Sequence, residues 1–475
     1  MTMLTRRGAL RVGAAALLST AAVPQLGWAQ TARYTVRTDL PKQTIQGLGV
    51  EIQSDSIGSG NDGLPDARTS VPHDLTASER TRLATDLIGR GHGFRYIRLA
   101  GGLYLRGLSA DRKNLRGRWP EQMQELASLI STSGAEGVNF EYWSPPTYWK
   151  TGDSYIGGKL KRFDSAFLND FGDAVVRDIS YLNNNGVKVV KFGLQNEAPH
   201  TVTTYSHANY TDAEYISTFN IVAAKVRAAH PTVRIHANSW DGQSRASLRN
   251  GLNLDLVDEW TWHRIGKDSN DQIDNASLFN ANKLGKPAYN NEFEYLDNIT
   301  SEWRMVNTAQ SIMNWFTFVN SPTWYWLHAL KPTYNTEAQG YALGYWRPAD
   351  DNDFSKFGNI QKGHFDYELR NWRAIVGFLE WMPWNSVRYQ VDEPTVRRDQ
   401  RILAFRQGGR TGKMVVVVTN RGTAPFTFDV DANVASGFTG YRYSLADWKR
   451  NVGTRASGTF SATVPAKAIE FWVQN

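Results

Sequence analysis

Val187-Lys188-Val189-Val190-Lys191-Phe192-Gly193-Leu194-Gln195-Asn196-Glu197-Ala198-Pro199-His200 decides how this chain is read. The apolar run over 187–194 predicts a buried strand, and a glutamate follows within three residues of its end. A second segment repeats the arrangement, with Pro287-Ala288-Tyr289 running into Asn290-Asn291-Glu292-Phe293-Glu294. In an α/β barrel the C-terminal strand ends carry the chemistry, because the rigid sheet aims side chains there into one pocket. Two carboxylates delivered that way are the minimum equipment for cleaving a glycosidic bond. Either glutamate alone could cap its strand or bind a neighbouring arginine. Together they favour a site.

Helical and strand patterns alternate on both sides of these segments. Strands are expected at 44–50, 94–99, 138–143, 187–195, 233–237, 256–262, 287–291 and 323–327. Thr76-Ala77-Ser78-Glu79 and Thr211-Asp212-Ala213-Glu214 both match a capping box, the start signal of a helix. Phe167, Phe171, Val175, Ile179 and Leu182 form an apolar stripe at helical spacing, and Gly186 sits where a helix-ending glycine belongs. Eight strand–helix alternations point to an α/β fold of the (β/α)8 TIM-barrel type over residues 44–384. From 385 to 475 the pattern changes to short β-branched runs split by Gly, Pro and Asn, which suits an antiparallel β-sandwich. Within 30–43, the stretch 34–38 reads as one more strand joined to that sandwich. Counting strands puts Glu197 at the end of the fourth and Glu292 at the end of the seventh, facing each other across the barrel mouth.

The chain has 475 residues, enough for a large domain plus a small one. Its 17 Trp, 20 Tyr and 21 Phe include flat indole faces of the kind that stack on pyranose rings. Residues 1–29 read as an export signal: Thr5-Arg6-Arg7-Gly8-Ala9-Leu10 is a twin-arginine pattern, and Gly27-Trp28-Ala29 supplies a cleavage site. The apolar stretch between is too short for a permanent anchor, so no membrane partner is expected. The expected location is periplasmic or extracellular. Losing three arginines with that segment lowers the net charge from +7 to +4, and no basic stripe points to nucleic acid. Without cysteine, disulfides, thiol nucleophiles and Cys-ligated zinc are excluded. No cofactor is implied, and a monomer is expected.

Asn196 stands directly before Glu197, where an amide can hydrogen-bond a sugar 2-hydroxyl; a turn-forming asparagine is the plainer alternative. Arg98 on the second strand could orient a carboxylate, and Trp143 and Trp326 are candidate sugar walls, with core packing as the alternative. Glu294 shares a strand face with Glu292, so spacing alone does not choose between them. Arg264 and Lys150 could meet an acidic substrate or be structural. Asp350-Asp351-Asn352-Asp353 carries oxygen ligands but lacks the glycine and distal glutamate of a calcium loop, so no metal is assigned.

Four segments resemble glycoside hydrolase family 30, or a close neighbour in the same clan of barrel glycosidases. They are Thr44-Ile45-Gln46-Gly47-Leu48-Gly49, Trp143-Ser144-Pro145-Pro146-Thr147-Tyr148-Trp149-Lys150, Leu194-Gln195-Asn196-Glu197-Ala198-Pro199, and Lys286-Pro287-Ala288-Tyr289-Asn290-Asn291-Glu292. The resemblance implies a retaining mechanism, with Glu197 as acid/base and Glu292 as nucleophile, and its Lys-Pro register selects Glu292 over Glu294. It also implies that His263, at the end of strand six, hydrogen-bonds the nucleophile; a satisfied core histidine is the alternative. The segments Val50-Glu51-Ile52-Gln53-Ser54-Asp55 and Leu99-Ala100-Gly101-Gly102 depart from the family pattern, leaving the substrate open. The reading is therefore a secreted retaining β-glycoside hydrolase acting on a poly- or oligosaccharide, with Glu197 expected to have a raised pKa. A catalytically silent carbohydrate-binding protein and an inverting glycosidase are the alternatives.

Overall fold

Eight parallel strands line up in one sheet, each followed by at least one helix. They are Gly47–Ile52, Tyr96–Gly101, Gly137–Tyr142, Val189–Gly193, Arg234–Ala237, Glu259–His263, Ala288–Glu292 and Thr323–Pro332, here called strands one to eight. All eight expected strands are found, with ends shifted by a few residues. The computed structural model describes residues 33–53, 56–59, 74–240, 245–295, 302–334 and 340–475, so the expected export segment 1–29 lies outside the described residues.

Hydrogen bonding runs seven-six-five-four-three-two-one-eight across the sheet. Strands seven and eight are the first and last of these eight, yet the Leu327 N–H donates to the Phe293 carbonyl at 3.1 Å just beyond strand seven. The sheet is thus a nearly closed barrel. The Tyr325 ring of strand eight stacks on Tyr96 of strand two at 6.1 Å and on Tyr289 of strand seven at 5.5 Å, so side chains from three strands meet in the interior. Side chains alternate along a strand. Tyr325 therefore points in, while Trp324 and Trp326 point out into the layer shared with the helices.

Helix starts follow the sequence signals. Thr211 and Glu214 form the full reciprocal capping box at the head of Asp212–Ala229. At Ala77–Arg82 only half of the box forms: Thr76 accepts from the Glu79 N–H, but the Glu79 carboxylate turns to Arg82. The stripe Phe167, Phe171, Val175, Ile179 and Leu182 is buried along Ser165–Asn184.

Strand eight outruns the barrel. Its second half pairs with Ala342–Trp346, which pairs in turn with Phe365–Tyr367, two strands that the sequence pattern did not suggest.

The other large sheet has nine strands. Eight of them, from Ser386–Asp392 to Ala468–Gln474, lie in the C-terminal region where short strands are expected. Its two ends fold towards each other, bringing Phe438 and Phe460 to 5.1 Å over a core that includes Val416, Val418, Phe428 and Trp472. The first strand, Tyr34–Ile45, is longer than expected. It lies between Ser386–Asp392 and Phe426–Asp431, antiparallel to one and parallel to the other. At Gly47 the chain leaves this sheet and enters the barrel. Its φ of +138° suits only glycine, and a Cβ there would stand 2.9 Å from the Trp384 ring. Among the described residues no helix is long and apolar enough to cross a membrane.

Candidate active site

A cleft of about 490 Å³ opens at the C-terminal ends of the parallel strands. Gln53, Trp143, Asn196, Glu197, His200, Trp240, Glu292 and Glu294 are among its lining residues. Two local devices deliver the glutamates. After strand four the chain makes a tight turn that puts Glu197 at φ +46°, with its N–H on the Ser239 carbonyl at 2.7 Å. Few non-glycine residues adopt that left-handed conformation, and those that do concentrate at functional sites. On strand seven the register slips between Asn290 and Glu292, as at a bulge, so Glu292 turns into the mouth. A carboxylate oxygen of Glu197 and one of Glu292 lie within 4.8 Å of each other.

Arg98 sits beneath them, fully buried. Its Nη1 donates to Glu292 at 2.6 Å and to Glu51 at 2.5 Å, its Nε and Nη2 donate to Glu141, and Nη2 also reaches the Asn196 amide oxygen at 2.6 Å. One guanidinium thus joins strands one, two, three and seven to the turn after strand four. Burial opposes ionisation of Glu141, but Arg98 and His236 outweigh it and hold its carboxyl below the usual range. Burial pushes Glu51 well above that range against the pull of Arg98. Because its oxygen faces Arg98, the Asn196 amide keeps its nitrogen as the donor for a ligand.

His263 stands between the two candidate carboxyls. Its Nδ1 lies 2.9 Å from Glu197 and its Nε2 3.6 Å from Glu292. The expected hydrogen bond to Glu292 is therefore replaced by one to Glu197. Both ring nitrogens face carboxylates, an arrangement for sharing a proton rather than for ligating an ion through one nitrogen. On its cleft side Glu197 also meets His200, at 3.3 Å.

The charge states differ from expectation. Burial works to raise Glu197, but hydrogen bonds from His200 and His263 prevail and hold it below the ordinary carboxylate range. Burial raises Glu292, against the opposing pull of His263 and Arg98. The expected high pKa of Glu197 does not hold for the protein without a ligand.

Of the other expected residues, Trp143 lines the cleft, with one face covered by Arg98 at 4.4 Å. Trp326 does not line it: strand alternation turns it outward beside Phe293 and Trp324, where it is core. Arg98 does bind carboxylates, but it bridges three rather than gripping one. Lys150 is buried and donates to the Ser144 hydroxyl and to the carbonyls of Tyr155 and His207, and Arg264 is paired with Asp271. Neither reaches the cleft. Asp351 accepts from Arg347 at 2.8 Å and Asp353 from the Ser355 N–H, so the guanidinium already supplies positive charge to that loop.

The sequence reading passed over Glu51, Glu141, His200, Tyr205, Trp240 and His328 as site residues. Period-two alternation on strands one and three is the signal that marks Glu51 and Glu141 as inward. His200, Tyr205 and Trp240 sit on loops, where no such period exists, and His328 lies on strand eight just beyond its register shift. Glu294 stays in the cleft, with one oxygen 3.6 Å from His328 Nε2.

No family model and no curated protein matches the chain. Solved structures do. The catalytic domain of a GH30 xylanase C from Talaromyces cellulolyticus superimposes with a TM-score of 0.68 at 16% identity, over 93% of this chain and 100% of that one. A conserved exported protein from Bacteroides fragilis gives 0.72 at 13% identity, over 93% and 100%. An endo-β-1,6-glucanase gives 0.65 at 14% identity, over 93% and 94%. The chain thus resembles glycoside hydrolase family 30 and its neighbours in fold, barrel and side sheet together.

Proposed function

We propose that this chain is an exported retaining β-glycoside hydrolase on a (β/α)8 barrel, with residues 44–384 forming the catalytic domain. Residues 30–43 and 385–475 together form its side domain. One observation carries the reading: two carboxylates at the ends of strands four and seven, with oxygens within 4.8 Å, in a cleft at the functional end of a parallel barrel. Retaining enzymes hold the two groups about 5–5.5 Å apart, whereas inverting ones leave about 6.5–9.5 Å for a water. The separation favours retention.

In this reading a Glu292 oxygen bonds to the anomeric carbon while Glu197 gives a proton to the departing glycosidic oxygen. Water then loses a proton to Glu197 as its oxygen replaces Glu292 on the sugar. Arg98 keeps Glu292 oriented and favours its anionic form, and Asn196 offers a donor to the sugar 2-hydroxyl. Trp143, Tyr205 and Trp240 supply aromatic walls. The substrate class is a β-linked poly- or oligosaccharide, in keeping with the xylanase and glucanase of like fold. The twin-arginine pattern supports export, as does the description of one structural neighbour as exported.

Incubation with aryl β-glycosides and a polysaccharide panel, with the first-formed product followed by NMR, tests this reading. The expected product keeps the β configuration, and Glu292→Ala or Glu197→Gln each abolish its release without unfolding. An α product would favour inversion. Binding without hydrolysis across the panel would leave a silent lectin-like barrel instead.

A further inference from the structure

Glu197 has two imidazole partners of unlike character. His263 is buried on its inner side, whereas His200 is nearly half exposed at the cleft wall, its Nδ1 facing Glu197 Oε2. His200 is not loosely placed. Its N–H donates to the Glu197 carbonyl at 2.7 Å, closing the turn that follows strand four. Its own carbonyl accepts from His207 Nε2 at 2.7 Å, and its ring lies 5.5 Å from that of Trp240. His207 is fixed in turn, because Lys150 donates to the His207 carbonyl at 2.6 Å. A chain of contacts from the barrel interior thus aims one solvent-reached imidazole at the outer oxygen of the acid/base candidate.

Resting on the glycosidase reading, we propose that His200 is a positioning residue that stores the catalytic proton of Glu197 and takes it back in each cycle. In the free protein the proton resides on His200 Nδ1 and Glu197 is a carboxylate. When the aglycone oxygen takes the place of the imidazole at Oε2, the proton passes from Nδ1 to Oε2, leaving neutral imidazole and neutral acid. Oε2 then gives that proton to the glycosidic oxygen as the bond to the anomeric carbon breaks. In the second half, water loses a proton to Oε2 as its oxygen replaces Glu292, and Oε2 returns the proton to Nδ1. Protons and bonds balance over the cycle.

The surroundings agree. A hydrogen bond to Glu197 raises His200 above the ordinary imidazole range, against a smaller effect of burial. His207, the other titratable ring facing it, is lowered by burial to about 4 and is neutral near pH 7. Lys150, behind His207, is lowered by burial to about 7. Tyr205 on the same wall is raised by burial and stays uncharged. His263, across Glu197, is raised by that carboxylate and by Glu292 in spite of its burial. Of the two imidazoles on Glu197, only His200 reaches solvent to exchange its proton.

The test is the pH profile of kcat/KM for His200→Gln, a side chain that can still donate to Glu197 but does not titrate. Its alkaline limb should move down by about one pH unit or more. Activity above pH 7 should fall at least about tenfold on an unactivated β-disaccharide, and little on a dinitrophenyl glycoside, whose leaving group needs no proton. An unmoved limb in an active, folded variant overturns the proposal, since a merely structural role would lower the rate at every pH alike. Imidazole NMR of the wild-type protein and of Glu197→Gln supplies a reading independent of turnover. His200 should titrate lower in the variant, and identical titrations would overturn the proposal even if the wild type hydrolysed nothing. A wild type inactive on every substrate, with His200 still coupled to Glu197, would count against the glycosidase reading and not against the coupling.

Discussion

Glu197 combines an awkward backbone with a crowded carboxyl. An L-residue in the left-handed region costs about 1–2 kcal/mol relative to its ordinary conformations, and glycine escapes that cost. Glu197→Gly is accordingly expected to be more stable than Glu197→Ala by about 1 kcal/mol, the reverse of the usual order, as read from denaturant midpoints. Arg98 works in the opposite sense. Arg98→Met leaves Glu141 and its neighbours buried without their counter-charge, and breaking a buried ion pair from one side costs about 3–5 kcal/mol. That loss should appear as a large fall in melting temperature beside lost activity. At this scale the sequence was legible at the C-terminal ends of the parallel strands, where any barrel gathers its side chains. Glu197, Glu292, Asn196 and Trp143 reach the cleft as expected. Trp326 was misjudged because a tryptophan near a strand end signals a sugar wall only if its parity points inward, and Trp326 shares the outward parity of Trp324.

Elements in this fold meet through a few unforgiving contacts. Gly193 on strand four is one: a Cβ there would stand 2.3 Å from His236 and 2.7 Å from Glu141. Glycine thus makes room for the side chains that fill the barrel beneath the site. Gly193→Ala should cost about 1–3 kcal/mol by overpacking and should weaken catalysis by displacing Glu141 from Arg98, measurable as paired losses in stability and kcat. The helix Ser165–Asn184 is fastened differently, through Asp178, which accepts from Tyr142 on strand three at 2.6 Å and from Asn114 and the Leu115 N–H. Burial raises Asp178 to about 7, against those hydrogen bonds. Its folded pKa therefore exceeds the unfolded value of about 3.9. The folded state binds the proton more tightly, so this contribution is complete below about pH 4 and is lost as pH rises through 7. Asp178→Asn should flatten that loss, so the stability difference between variant and wild type should shift in the variant's favour from pH 4 to 8. Element types were legible here because helical and strand periods differ so plainly. Ala342–Trp346 and Phe365–Tyr367 were not, because they pair with the overlong tail of strand eight, a partnership that no local pattern announces.

At the scale of the whole molecule, residues 33–475 form one compact unit. The helix Leu369–Trp381 meets the final strand through Phe378 and Phe471, 5.1 Å apart. Strand Tyr34–Ile45 ties the same two parts covalently and by hydrogen bonds. A chain shortened to begin at Gly47 removes one of the inner strands of the nine-stranded sheet and exposes the faces of Tyr389, Val430 and Phe428. It should lose cooperative unfolding of that sheet, which circular dichroism and a thermal scan would reveal. The same strand bears on how the molecule comes into being. Thr35 pairs with Asp392 and Asp431, partners that lie 357 and 396 residues further along the chain. Contacts so distant in sequence close slowly. This strand therefore acts as a latch that stays undone until Ser386–Asp392 and Phe426–Asp431 have both been made.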